Sequence, residues 1–458
     1  MKKTNLPIAL LLCGATALQA AKPAKPETFS DAKVAAPAVE QPTEESKFTW
    51  GGDVRLRSVY LDNIPYPNGG EARGGDNSFQ RYRTRIWSEY QASEDLKVRA
   101  RLVNEFRTYQ NPDNNGWNPL DEVVIDNLYF DWKATPCWTL RVGRQDLIYG
   151  TGKLILDGTP EDGSRTIYFD AIKATYTGIE DTTIDFLGMY TRAKDPLAMH
   201  SEDRDVAGKS GGNKYSGVEA GGGIYLKNKS IEGLPLEAYY LVKLKEEEWG
   251  ARAPGKACDD NNRHTVGARF MPKFSDTVDG NLEVAYQFGD EISAYMIDAL
   301  VSKHFEGDLK PCLGLGWYHL SGDDPGTTKD EGWNPLWARW PQYSELYIYA
   351  FDRAGAGRWS NLSMPHIDFT FQPHEKVKTS LLLGYMFAPE TDGVGGGHDR
   401  GFLATLKNEF TIKEGLFSDG DKLTGHVLLE AMDPGNYYAR DQREHTALFG
   451  RVELNYSF

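Results

Sequence analysis

Alternation sets the tightest limit on what this chain can become. In "FQRYRTRIWSEYQ", Phe79 to Gln91, Arg81, Arg83 and Arg85 share one parity, while Tyr82, Thr84, Ile86, Ser88 and Tyr90 take the other. Side chains of a strand point alternately to two faces, and aromatic and β-branched residues favour strands, so the stretch predicts a strand with one guanidinium face and one largely apolar face. Comparable segments recur from "DVRLRSVYL" to the terminal "HTALFGRVELNYSF". They make about 18 strands of roughly the length, 9–11 residues, that a tilted membrane strand needs.

The connections are sorted by parity. Those after odd strands are long, such as "DNIPYPNGGEARGGDNS" and "RAKDPLAMHSEDRDVAGKSGGNK", and those after even strands are short, such as "SED", "ATPC", "GIED" and "PHE". Two break the pattern: "GDEI" is short where a long loop is due, and "KFSDTVDG" is longer than its short-side neighbours. A soluble sandwich or propeller has no reason to sort its loops in this way. The expected fold is therefore all-β, a single antiparallel transmembrane β-barrel with short periplasmic turns and long extracellular loops. Composition agrees. No apolar run reaches the length of a membrane helix, and 12% of residues are aromatic, with 24 Tyr and 11 Trp to supply interfacial girdles.

Residues 1–20 read as a secretory signal peptide, with Lys2 and Lys3 ahead of an apolar run and cleavage expected near Ala20. Residues 21–47 form a Pro-, Ala- and Glu-rich lead-in without periodicity, expected to be disordered, and residues 48–458 form the barrel. The expected location is the bacterial outer membrane. Cys13 leaves with the signal, and Cys137, Cys258 and Cys312 are odd in number and lack metal-site spacing, so their pairing stays open. The final strand places Val452, Leu454, Tyr456 and Phe458 on one face and ends on an aromatic residue, which resembles the closing strand that the barrel-assembly machinery recognises.

Parity assigns a lumen. Arg55, Arg57, Arg81, Arg83, Arg85, Arg99, Arg101 and Arg141 face inward with Glu89, Asn127, Tyr129 and Asp131, because an arginine facing lipid at the midplane would cost roughly 2–4 kcal/mol. Such a wall concentrates anions in a low-dielectric passage. The chain carries a formal net charge of −15, which argues against nucleic acid or an anionic membrane surface as partner. The competing reading is a lumen plugged by salt bridges from these arginines to Glu89, Glu105, Asp131, Asp185 or Asp298.

Catalytic patterns are missing. His319, His366 and His426 lie in strand-like segments, there is no G-x-S-x-G, and "HEKVK" at His374 lacks the second His of H-E-x-x-H. No enzymatic activity and no cofactor are expected. Asp323, Asp324, Asp330 and Glu331 lack the spacing of a Ca²⁺ loop and read as a solvated acidic segment. The long stretch from Ser321 to Ser363, rich in Trp near its middle, has the length to fold inward or cover the mouth.

"RVGRQDLIYGTGKLILDG", Arg141 to Gly158, with "FDA" at Phe169 to Ala171, resembles the alginate-export family of outer-membrane barrels. Gly143, Gln145, Tyr149, Gly150, Phe169, Asp170 and Ala171 carry the likeness, and "SGDDP" with "WNPLWARWPQYSELY" adds a second feature. The resemblance implies an 18-stranded barrel gated by loops, with a pore of arginines for an anionic polysaccharide. The implied pore set is Arg55, Arg57, Arg81, Arg83, Arg85, Arg99, Arg101, Arg141 and Arg144, with Lys153 in the following loop. The function expected is an anion-selective channel with an anionic solute or polysaccharide and outer-membrane lipid as partners; a general diffusion porin is the alternative.

Overall fold

A computed structural model describes residues 47–65, 77–111, 123–156, 168–192, 197–199, 219–244, 262–338, 342–346, 360–391, 393 and 395–458. The leader, the lead-in up to residue 46 and Cys258 lie outside these residues. Eighteen long strands follow one another around a closed sheet. In chain order they are β1 Phe48–Asp62, β2 Asn77–Ser93, β3 Leu96–Asn111, β4 Val123–Thr135, β5 Trp138–Gln145 and β6 Phe169–Ile179. Next come β7 Thr182–Thr191, β8 Glu219–Asn228, β9 Leu236–Lys243, β10 Arg263–Phe270, β11 Val278–Gly289 and β12 Ile292–His304. The circuit finishes with β13 Cys312–Leu320, β14 Leu362–His374, β15 Val377–Phe387, β16 Asp399–Glu414, β17 Lys422–Pro434 and β18 Ala447–Ser457.

Each strand pairs antiparallel with the next, and β1 pairs with β18 from Asp53↔Ser457 to Asp62↔Leu448. Closure removes both sheet edges, so no row of backbone N–H and C=O groups is left to face lipid. The seam is finished by Gly52 and Phe458, whose amides donate to each other's carbonyls at 2.9 and 3.0 Å. Trp50 and Tyr456 flank the Phe458 ring. No described helix is long and apolar enough to cross a membrane; the strands do so.

Burial follows the sequence alternation. On β1, Val54, Leu56 and Tyr60 point out while Asp53, Arg55, Arg57 and Val59 are buried within. The same division puts Leu128, Phe130 and Trp132 on the outer face of β4. A continuous apolar outer band costs nothing against lipid and would be untenable in water at this extent.

The short far-side turn after β11 has a structural reason. The loop from Ser321 passes over it: the Asp330 amide donates to the Glu291 carbonyl at 2.6 Å, the Ser293 amide donates to the Asp330 carbonyl at 3.0 Å, and Arg263 pairs with the Asp330 carboxylate. The clipped hairpin serves as the lip over which that loop enters the barrel. Inside, Trp337–Ala338 pairs in parallel with Ile155–Leu156 from the loop after β5. Leu154, Ile155, Trp333, Leu336, Trp337 and Leu346 join one apolar cluster with inward residues of the wall such as Leu241, Met296 and Leu320. The barrel thus holds a packed core supplied by its own loops.

Candidate functional site: a lumen with two unlike walls

The first wall comprises β18 and β1 to β5. Register sets Arg55 opposite Arg83 and Arg57 opposite Arg81, so guanidiniums stack across strands and need carboxylates between them. Glu105 receives Arg81 Nε at 2.8 Å and Arg55 Nη2 at 3.2 Å. Asp53 receives Arg83 Nη2 at 3.0 Å and Arg85 Nε at 2.6 Å, and Glu453 receives Arg57 Nε at 2.6 Å. Arg101 meets Asp126 in bidentate fashion at 2.8 and 2.9 Å and also reaches Asp146. Arg141 grips Asp131 likewise at 2.6 and 2.8 Å, and Arg99 takes Glu89 at 2.6 Å. The rows therefore point inward as the alternation requires, and each arginine named has a carboxylate partner.

Exposure grades along this wall. The side chains of Arg55 and Arg57 are 2% exposed, whereas those of Arg85, Arg99 and Arg141 toward the short-turn end are 15, 19 and 26% exposed. Arg99 and Arg141 also lie over the rings of Trp87 and Tyr129 at 4.7 and 4.2 Å. Three arginines are thus both held in place and reachable from the lumen water.

Arg144 departs from the expected pore set. It stands three residues after Arg141, so the register puts it opposite Asp170 and Leu128 on the outward row, yet it is covered, 3% exposed where Leu128 is 42%. Its guanidinium grips Asp170 at 2.8 and 3.1 Å, donates to the Ile125 carbonyl at 3.0 Å and lies 3.7 Å from the Tyr168 ring. It fastens β4 to β6 at the long-loop end instead of lining the passage.

The other motif residues steer the chain off the wall. Gly143 has φ +124°, and a Cβ there would meet the Leu128 carbonyl oxygen at 2.2 Å. Gln145 is fully buried and its amide nitrogen donates to the carbonyls of Gly143 and Ala171 at 3.1 and 3.0 Å. Gly150 has φ +58° and turns the chain where a Cβ would meet the Tyr225 hydroxyl at 3.0 Å. Phe169 and Ala171 pack in the core.

The second wall, β7 to β13, offers carboxylates to that incoming loop. The Tyr149 hydroxyl donates to Asp185 at 2.8 Å, the Thr151 hydroxyl to Glu283 at 3.2 Å, and Lys153 Nζ pairs with Asp298 at 2.9 Å. Asp298 takes the Tyr343 hydroxyl as well, at 2.7 Å. Gln287 exchanges two hydrogen bonds with the backbone of Asn334 at 2.7 and 3.0 Å, and Lys243 donates to the Leu336 carbonyl at 3.1 Å. Of the carboxylates expected to pair with arginine, Glu89, Glu105 and Asp131 do so, whereas Asp185 and Asp298 receive tyrosines and Lys153. Lys153 lies in the lumen as expected, but against the wall.

At the short-turn end a cavity of about 370 Å³ is lined by Gln372, Lys378, Glu409, Thr424, His426 and Glu453 among others. Glu430, Arg451 and Glu453 were not singled out from sequence, and His426 only as a histidine in a strand-like segment. The alternation in "HTALFGRVELNYSF" marks Phe449, Arg451 and Glu453 as inward once Leu448, Val452 and Leu454 are seen to face out. The acidic loop satisfies itself: Asp323 and Asp324 accept the amides of Glu331 and Gly326 at 3.0 and 2.7 Å. His366 meets Asp368 at 3.2 Å, and the His374 ring accepts the Lys376 amide.

The alginate export family model matches residues 47–405. No curated protein matches the chain. Among solved structures, the outer membrane protein OpdK of Pseudomonas aeruginosa is 12% identical with a TM-score of 0.55, over 90% of this chain and 99% of that one. OccAB4 of Acinetobacter baumannii is 9% identical with a TM-score of 0.54, over 91% and 100%. OccK3 of Pseudomonas aeruginosa is 11% identical with a TM-score of 0.54, over 89% and 95%. At such identities the likeness is one of fold alone.

Proposed function

Since the chain belongs to the alginate-export family of outer-membrane barrels, we propose that it is a passive channel whose arginine wall favours anions, with carboxylate-bearing sugars as the cargo class. The observation that carries this reading is the run of arginines across adjacent strands, with Arg55 opposite Arg83, Arg57 opposite Arg81 and Arg81 opposite Arg107, and with Arg99 and Arg101 farther along β3 opposite Glu89 and Trp87. Among the described residues, Asp53, Glu105 and Glu453 are each shared by two guanidiniums. Shared partners suit exchange, because a cargo carboxylate finds donors already spaced for a planar, two-oxygen acceptor.

A row of such sites lets an anionic chain pass from one to the next without a deep trap. The reachable arginines, Arg85, Arg99 and Arg141, are the natural first contacts from the periplasmic end. Asp53, Glu89 and Asp131 keep these side chains ordered and limit how tightly cargo is held.

The test is block of current through the purified channel in a planar bilayer. Oligouronates are expected to reduce the current at concentrations where neutral glucose oligomers of the same length do not. Equal block by both sugars would contradict the reading and favour a general diffusion porin.

A further inference from the structure

The loop between β13 and β14 brings its own carboxylate to the wall. Glu345 pairs with Arg451 Nη1 of β18, and the two side chains are 5% and 2% exposed. Arg451 Nε donates to His426 Nε2 at 2.9 Å. His426 is the acceptor there, so its proton sits on Nδ1, which lies 3.7 Å from Glu453 Oε1. Glu453 in turn holds Arg57, the start of the arginine wall.

A second contact fastens the same segment. Glu430 of β17 receives the Ser344 hydroxyl at 2.9 Å and the amides of Glu345 and Leu346 at 3.1 and 2.8 Å. Glu345 and Leu346 are buried, so their amides need an acceptor inside the barrel, and a wall carboxylate supplies it. The wall thus grips the loop twice, by its backbone through Glu430 and by its side chain through Arg451.

The cavity at the short-turn end reaches His426 and Glu453, the residues next to this pair. A solute arriving from the periplasmic side therefore comes up against His426, directly beside a guanidinium already bound to a carboxylate. Water is a poor substitute for Glu345 on a buried arginine, because it leaves the charge uncompensated. Another carboxylate is an even exchange.

We propose that Arg451 is a carboxylate-binding site of the passage, occupied in this structure by the loop's own Glu345, and that an acidic sugar reaching it displaces Glu345 and frees the loop. The proposal rests on the anion-passing reading above and adds where cargo acts on the gate.

The experiment records the open fraction of single channels of the full-length mature protein in planar bilayers, with D-glucuronate or D-glucose added on the periplasmic side. Wild type is expected to open more with glucuronate and not with glucose. Glu345→Gln keeps the shape and removes the charge; it is expected to raise the open fraction without sugar by about tenfold or more, in line with losing one partner of a buried charge pair. Glucuronate then adds nothing further. Arg451→Gln is expected to be insensitive to glucuronate as well, which keeps the test decisive if one variant inserts poorly.

An open fraction of Glu345→Gln equal to wild type, or a full glucuronate response in that variant, overturns the proposal. An equal response of wild type to glucose overturns the carboxylate assignment. Absence of anion preference in wild type defeats the function proposed above instead, and the Glu345→Gln open fraction still reports on the latch.

Discussion

Arg55, Arg57, Arg81, Arg83 and Arg101 take their carboxylates chiefly from neighbouring strands, whereas Asp185, Glu283 and Asp298 across the lumen take partners from a loop that has left the wall. The first wall is held by the register of the sheet itself, except at Arg451, which takes Glu345 from a loop. The second depends on chain far away in sequence, as with Lys153 and Asp298. Most charges of the first wall therefore belong to the barrel, and those of the second anchor the inward loop; under the proposed function, selectivity and gating are then largely separable properties.

The largest effect is expected where that anchoring is cut. Lys153→Met leaves Asp298 buried without its cation, a change of about 3–5 kcal/mol by the usual cost of breaking a buried pair. The loop should come away from the wall while strand pairing persists. Conductance then rises and thermal unfolding of the barrel stays near that of wild type; a barrel that fails to assemble would show that the two sets of charges are not separable.

Gly150→Val tests the same loop through its backbone. A β-branched residue at φ +58° costs about 1–2 kcal/mol, before its contact with the Tyr225 hydroxyl is counted. Raised conductance with unaltered ion preference is the expected outcome, and a lost preference would tie selectivity to the loop.

Arg83→Glu probes the other wall. A two-unit charge change about 8 Å from a permeating ion in watery surroundings amounts to about 1 kcal/mol, against Cl⁻ and in favour of K⁺, so the Cl⁻/K⁺ permeability ratio falls by up to about thirtyfold. Strand pairing should be retained, at a cost in stability from the broken Arg83–Asp53 pair. Lost assembly, with the surviving channels unchanged in ion preference, would make the arginines structural only.

The smallest effect concerns neither wall. In the periplasmic turn before β17, burial of Asp421 opposes its charge, yet the Tyr456 hydroxyl and the amides of Phe417, Leu416 and Ser418 hold its carboxyl down at about 2. A depressed carboxyl stabilises the turn above its ordinary value of 3.8, and that contribution fades as pH falls toward 2. Protection of these three amides against hydrogen exchange, relative to the unfolded chain at the same pH, should be high at pH 5 and fall toward pH 2, with lumen conductance unaffected by Asp421→Asn.

How much of this was legible follows from how local each signal is. Strand number and facing rest on neighbours two residues apart, so alternation alone found the eighteen long barrel strands and the inward Arg81, Arg83 and Arg85, but not short pieces such as Ile155–Leu156 and Trp337–Ala338. The same rule separates Arg144 from Arg141, because a spacing of three reverses the face; the family motif suggested otherwise. The inward course of the loops was beyond reach, since it rests on Lys153 meeting Asp298 and on Glu345 meeting Arg451, contacts between segments over a hundred residues apart. Yet Gly143, Gln145 and Gly150 did mark where the chain turns, without saying into what.

The account stands most directly on the zero-current potential of the wild-type channel in a planar bilayer under a KCl gradient. It predicts the sign of Cl⁻ preference, reduced in Arg83→Glu and unchanged in Gly150→Val. A potential with the sign of K⁺ preference would contradict it and shift the selective element to the carboxylates of the second wall.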